Sequence, residues 1–433
     1  MKMFAECCYI DHSLPDEVHP SVILLEGARQ VGKTTLINHV LDMINRPSLR
    51  LNLEEYRSIA MKIDKCADFE RLLSVEYSFK GDGQRLLFID KAQESRYLGN
   101  FIRFMKEKWI HTPVILSGSS MSRMFKHVKR FPVGRLKRFH LQPFSYREFL
   151  RLLGKEELLD IKDFFSVSDL VHSENLKMLQ QYFLVGGLPA VIEAYKNDGN
   201  WKGVREDLFY DYKSDFERIF SEKEANLLEL CLQGVSNNLG SQSLYSQIVK
   251  TTSSLYRSIP EILGLLENWK LIHKLTLKSG RAEQPAFAPK RYLYDLGMAQ
   301  QLRLCTIPVI DIINQLNTAL RTPLGGLMEN MLANELVFTG QKLTGWKRGQ
   351  NSFEADFLYE TADGGKIPVE CKASLREKSR HLNGLLAYAE EFRVNRIVLV
   401  NLARPVKRNL AGDNLFLSIP LYLASELPAL LDR

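Results

Sequence analysis

The sequence predicts an α/β protein of several domains, and three observations carry that expectation. Near the N-terminus a glycine-rich loop lies between a strand-length apolar run and a helical stretch. Further strand-length runs recur through the first 150 residues at helix-length intervals, the rhythm of a parallel sheet covered on both faces. Toward the C-terminus a second strand-rich segment carries an Asp…Glu-x-Lys pattern. The 433 residues exceed what one ordinary core organises. Hydrophobic residues at 45% and charged residues at 25% exclude disordered, collagen-like and coiled-coil chains.

The elements follow in order. Val22–Glu26, Leu49–Leu53, Leu86–Ile89 and Pro113–Ser117 are expected strands of a domain spanning 1–150. A helical connector, broken at Gly186, Gly187 and Pro189, is expected over 151–220. Over 221–295, helices near 223–235, 243–250 and 253–268 precede strand-like Leu271–Leu277 and Arg291–Tyr294, a winged-helix pattern. The segment 320–433 opens with a helix around Leu327–Phe338. A hairpin then joins Phe353–Glu360 to Ile367–Ala373 through Asp363-Gly364-Gly365, and a helix near 376–391 and the strand Arg396–Asn401 complete an α/β unit.

Gly27-Ala28-Arg29-Gln30-Val31-Gly32-Lys33-Thr34, followed by Thr35, fits the Gly-x4-Gly-Lys-Thr phosphate loop in its required strand–loop–helix context. Gly27 and Gly32 let the loop curl so that backbone N–H groups point inward, and the helix N-terminus adds partial positive charge. Lys33 is expected on the β and γ phosphates of ATP, and the Thr34 hydroxyl on Mg²⁺. Asp90, at the end of Leu86-Leu87-Phe88-Ile89, is the expected Walker-B aspartate and second contact to Mg²⁺.

In hydrolysing members of the broad AAA-like group a glutamate usually follows that aspartate, and here Lys91 stands there. A protonated lysine cannot accept a proton from water, so the candidate bases are Glu54, Glu55 and Glu94. Slow hydrolysis and a nucleotide-held switch stay open. Ser119 or Ser120 is the expected hydroxyl that orients water or senses the γ-phosphate. Seven Lys or Arg between Met121 and His140, with no acid, form either a DNA-facing patch or a solvated basic surface, and Arg135 could contact a phosphate in cis or across a subunit boundary.

At these residues the chain resembles the prokaryotic ATP-binding proteins that join an AAA-like ATPase domain to a C-terminal domain of uncharacterised function related to restriction endonucleases. The likeness rests on Glu26–Thr35, Phe88-Ile89-Asp90 with Gln93, Ser117–Ser120 and Gly134-Arg135. It continues through Leu141–Phe149, Gly186–Pro189, Glu329-Asn330, Asn334-Glu335, Asp356-Phe357 and Val369–Lys372. It implies a P-loop NTPase (AAA-like) domain, a winged helix and a restriction-endonuclease-like α/β domain. The resemblance leaves ATP turnover open, because the family has glutamate where Lys91 stands.

Asp356, Glu370 and Lys372 reproduce the Asp…Glu-x-Lys arrangement of metal-dependent nucleases. Residues two apart on a strand share a face, so Glu370 and Lys372 leave together while Val369 and Cys371 point into the core. Asp356 and Glu370 are expected Mg²⁺ ligands, with Glu329 as a further one, and Lys372 would position water. Glu335 is expected to face solvent. Cleavage, metal or DNA binding without cleavage, and a chance pattern remain alternatives.

The expected partners are ATP or ADP, double-stranded DNA or a partner protein, and further copies of the chain. Net charge +7 permits nucleic acid without demanding it. Six scattered cysteines and nine histidines show no zinc-ligand rhythm, and no apolar window is long enough for a membrane span. With no signal-like segment at Met1–Asp11, a cytoplasmic location is expected.

Overall fold

The computed structural model describes residues 22–119, 136–250, 256–280, 287–303, 318–349, 353–410 and 414–432. It divides into two compact units, Met1–Gln142 and Pro143–Arg433.

The first unit is built on a parallel sheet. Its elements are β1 (Val22–Glu26), α1 (Lys33–Ile44), β2 (Ser48–Asn52), α2 (Arg57–Lys65), α3 (Phe69–Tyr77), β3 (Leu86–Asp90), α4 (Ile102–Lys108), β4 (Val114–Gly118) and β5 (Leu136–His140). The strand order is β2-β3-β4-β1-β5, and every pairing is parallel. Alternation along each strand feeds two cores. Val22, Leu24, Leu87, Ile89, Val114 and Leu116 pack on one face, and Ile23, Leu25, Leu86, Phe88 and Ile115 meet α1 on the other. Strands β3 and β4 are buried along their whole length, while edge strand β5 exposes Lys137 and Arg138. The C-terminal ends of β2, β3, β4 and β1 therefore line up along one edge, which is where ligands bind in such sheets.

The second unit begins with helices α5 (Tyr146–Leu152), α6 (Asp169–Val185), α7 (Pro189–Lys196) and α8 (Trp201–Ile219). Ser145 and Glu148 form a capping box at the start of α5. The glycines before α7 have a steric reason: a Cβ on Gly187 would lie 2.4 Å from the Phe144 carbonyl oxygen. The freed Gly187 N–H donates to the buried Asp295 carboxylate at 2.6 Å. Next come α9 (Glu222–Asn237), α10 (Tyr245–Ile248), α11 (Ile259–Asn268), β6 (Ile272–Lys278), β7 (Lys290–Leu293), α12 (Leu296–Leu302) and α13 (Thr318–Phe338). Of the helices expected near 223–235, 243–250 and 253–268, the first is α9, the second is the four-residue α10 and the third starts at Ile259, with residues 251–255 outside the described ones; β6 and β7 pair as the expected ribbon.

The chain ends in β8 (Thr344–Lys347), β9 (Glu354–Ala355), β10 (Phe357–Glu360), β11 (Lys366–Cys371), α14 (Asn383–Phe392), β12 (Arg396–Asn401), β13 (Val406–Asn409), β14 (Leu415–Pro420) and α15 (Leu427–Leu431). One mixed sheet runs β10-β11-β12-β14-β13, with β11, β12 and β14 parallel and the two outer strands antiparallel. A second runs β7-β6-β8-β9. Helix α14 packs Leu385 and Ala389 against β12 and β14, and Ala387 and Tyr388 against Trp346, Ala355 and Leu358. The helix expected near 376–391 starts later, at Asn383, after a single 3-10 turn. The expected first hairpin strand is interrupted at Asp356, between β9 and β10. Among the described residues no helix is long and apolar enough to cross a membrane.

Candidate nucleotide site and a buried charge cluster

The loop between β1 and α1 needs its glycines. A Cβ on Gly27 would sit 2.4 Å from the Leu141 carbonyl oxygen, and Gly32, which caps α1, has φ 90°. Gln30 also adopts a left-handed conformation, so the loop turns tightly between Ala28 and Gly32. Lys33 is buried and folds back, its Nζ donating to the carbonyls of Gly27 at 3.0 Å and Ala28 at 2.6 Å. Burial, with Lys91 nearby, pulls its ammonium down to about 7 against the opposing pull of Asp90. An anionic phosphate beside it would reverse that pull.

Asp90 is the hub of the site. Its Oδ2 accepts from the Thr34 hydroxyl at 2.6 Å, and its Oδ1 accepts from the Lys91 N–H at 2.8 Å and from the Ser117 hydroxyl. The hydroxyl that meets Asp90 is therefore that of Ser117, buried within β4, whereas Ser119 lies half-buried just beyond the strand. Ser120 and Arg135 lie outside the described residues.

Strand register places the candidate bases. Asn52 pairs with Asp90 across β2 and β3, and its side chain accepts the Glu54 N–H at 3.0 Å, so Glu54 lies close to the end of β3. One Glu54 oxygen meets Arg29 at 3.2 Å and the other meets Lys91 at 2.9 Å. Lys91, itself in a left-handed turn, thus ties the turn after β2 to the end of β3 through Glu54. Glu55 is exposed, and Glu94 is half-buried in the 3-10 turn after β3.

In the second unit the structure brings Asp356, Glu370, Lys372 and Glu329 together. Phe357 pairs with Val369 across β10 and β11, which sets Asp356 beside Glu370. Lys372 Nζ lies 2.5 Å from Glu370 and 3.2 Å from Asp356. Sequence reasoning missed a second cation: Lys290, on β7, is buried and places Nζ 2.7 Å from Asp356, 2.8 Å from Glu354 and 3.3 Å from Glu329. The Tyr292 hydroxyl donates to Glu329 at 3.1 Å. Burial first, then the Asp356 charge, pushes Glu329 up to about 7 and Glu370 up to about 8. For Asp356 burial works upward too, but Lys290 and Lys372 outweigh it and hold the carboxyl well below its ordinary range. Among the described residues no group of three or more His, Cys, Asp or Glu is arranged to hold a metal ion.

The neighbouring residues of the resemblance are structural. Asn330 bonds both the N–H and the carbonyl of Leu293, at 2.6 and 2.8 Å, and so fastens α13 to β7. Glu335, expected to face solvent, is instead buried and accepts the Tyr146 N–H at 2.8 Å. It lies on the inner face of α13, and burial pushes its carboxyl up to about 7.

A glycine loop between strand and helix, a buried lysine, and a threonine bonded to a strand-end aspartate define a P-loop nucleotide-binding domain. The family model described as an AAA domain matches residues 19–150, and this segment is an AAA-type P-loop ATPase domain that binds ATP. Residues 176–307 match a domain of unknown function (DUF8612), and residues 324–422 match another (DUF4143). Comparison of the chain with curated proteins gives no match.

Proposed function

We propose that the chain is a slow ATPase working as a nucleotide-dependent switch, with Glu54 as the base that accepts the proton of the attacking water. The observation that carries this reading is the Glu54 carboxylate held between Arg29 of the phosphate loop and Lys91, the residue after Asp90. A glutamate from the turn after β2 thereby takes the place that Lys91 denies to its own position. Thr34 and Asp90 fit Mg²⁺, since a hydroxyl and a carboxylate 2.6 Å apart offer only oxygen donors. When bound, that ion would polarise the phosphate oxygens. Loop N–H groups bind the phosphates, and Lys33 exchanges its two carbonyl partners for phosphate oxygens. Water attacks the γ-phosphorus, its proton passes to Glu54, and the bond to the β-phosphate oxygen breaks with the electron pair leaving on ADP. Both Glu54 oxygens are engaged, so one ion pair must open before the carboxylate takes the proton.

The test is steady-state ATP turnover with Mg²⁺, with and without duplex DNA, against Lys33→Ala. Turnover above that control supports the reading. Tight nucleotide binding without turnover would overturn its hydrolytic half. A second reading, association of the chain with duplex DNA, is favoured by Lys137 and Arg138, exposed on edge strand β5 at the end of the basic stretch 121–140. Binding that weakens steeply with salt supports it, because phosphate contacts release counterions.

A further inference from the structure

The Asp…Glu-x-Lys pattern accounts for Lys372 but not for Lys290. Lys290 comes from β7, where it pairs with Leu275 of β6 and bridges to Gln242. Its side chain is 4% exposed. An ammonium has three N–H donors, and three carboxylates surround this one, at 2.7, 2.8 and 3.3 Å. We infer that Lys290 is a built-in cation standing where a divalent ion would otherwise bridge Asp356, Glu354 and Glu329, so that this acidic cluster excludes Mg²⁺ and Mn²⁺.

Two features of the geometry support this. Both Asp356 oxygens are engaged: Oδ1 by Lys290, and Oδ2 by the Cys371 N–H at 3.1 Å and Lys372 at 3.2 Å. The gap between Asp356 and Glu370 is bridged in turn by Lys372. A metal ion needs these same oxygens at about 2.0–2.6 Å, and an ammonium already 2.7 Å from Oδ1 leaves no room beside it. Nor can Lys290 swing aside freely, because its strand is buried along all four residues. The cation instead ties β7 to β9 and to the entry of β10. This assignment stands apart from the ATPase reading and rests on the second unit alone.

Mn²⁺ binding to the full chain without nucleotide, followed by electron paramagnetic resonance and calorimetry, tests it. Wild type should show no Mn²⁺ site that Asp356→Asn abolishes. Lys290→Met should gain one Mn²⁺ per chain, at least tenfold tighter than any binding by wild type, and Lys290→Met with Asp356→Asn should lose it again. A folded Lys290→Met that gains no Mn²⁺ would overturn the inference. Should Lys290→Met not fold, the comparison of wild type with Asp356→Asn decides alone: equal Mn²⁺ uptake upholds the assignment, and a site lost with Asp356 refutes it.

Discussion

Replacing Glu54 by glutamine removes the proposed base while preserving its shape. The structure lets the chemical and structural consequences be separated by size. Glu54 is 29% exposed, and its partners Arg29 and Lys91 are each 24% exposed. Ion pairs that open to solvent are each worth about 0–1 kcal/mol, so losing both should cost about 2 kcal/mol at most. Loss of a general base lowers a rate by about 10²–10⁴-fold, or roughly 3–5 kcal/mol of barrier. Glu54→Gln should therefore lower kcat at saturating Mg²⁺-ATP by about 100-fold or more. Nucleotide affinity, read by a fluorescent ATP analogue, should hold because none of the P-loop residues changes. Lys91→Ala should act in the opposite direction on kcat, by leaving Glu54 one partner fewer. A Glu54→Gln protein that hydrolyses ATP at the wild-type rate would refute the assignment, and a fall in Glu94→Gln instead would move it to the turn after β3.

The remaining predictions concern the second unit. A Glu335 carboxyl held at about 7 rather than 4.5 takes up a proton on folding. Its favourable contribution is complete below pH 4.5 and is lost as pH rises through 7, leaving a cost of about 3 kcal/mol in the ionised native state. Glu335→Gln keeps the acceptor for the Tyr146 N–H, so its thermal midpoint should gain on wild type between pH 5 and pH 8. A pH-independent difference would contradict this. In Gly384→Ala the new Cβ would lie 1.8 Å from the Glu354 carbonyl oxygen, where α14 meets β9. Overpacking of this kind costs about 1–3 kcal/mol, and a urea midpoint unchanged by the substitution would show that the contact can relax.

What the sequence reveals follows the range of the interaction. Strands β1, β3 and β4 announce themselves because a buried parallel strand is a short continuous apolar run, and the phosphate loop because its chemistry is local. Choosing Glu54 from among three glutamates needs the pairing of Asn52 with Asp90, which no local pattern encodes. A serine inside an apolar run reads as part of the strand, which favours Ser119 or Ser120, yet Ser117 is the hydroxyl that meets Asp90. A glutamate on a helix ordinarily faces solvent, but Glu335 is buried and accepts the N–H of Tyr146 at the start of α5. Lys290 is the hardest case. A lysine at the head of a strand reads as surface charge, and its three acidic partners lie on α13 and β9 and at the entry of β10, 39 to 66 residues away. The one local hint is that Tyr292-Leu293-Tyr294 follows after Arg291, so the lysine opens a segment that is buried throughout.

The two charged clusters share a pattern: in each, a carboxylate is held between two cations. Glu54 lies between Arg29 and Lys91, and Asp356 between Lys290 and Lys372. Exposure separates their behaviour. The first clamp is roughly a quarter exposed, so opening either pair is cheap, and arriving phosphates offer Arg29 and Lys91 a competing anion. In the second, Asp356 is 6% exposed and Lys290 4%, and breaking a buried pair leaves a charge stranded at about 3–5 kcal/mol. The same motif is thus a releasable catch in the nucleotide domain and a permanent fastening in the second unit. Nucleotide should move the first and leave the second fixed.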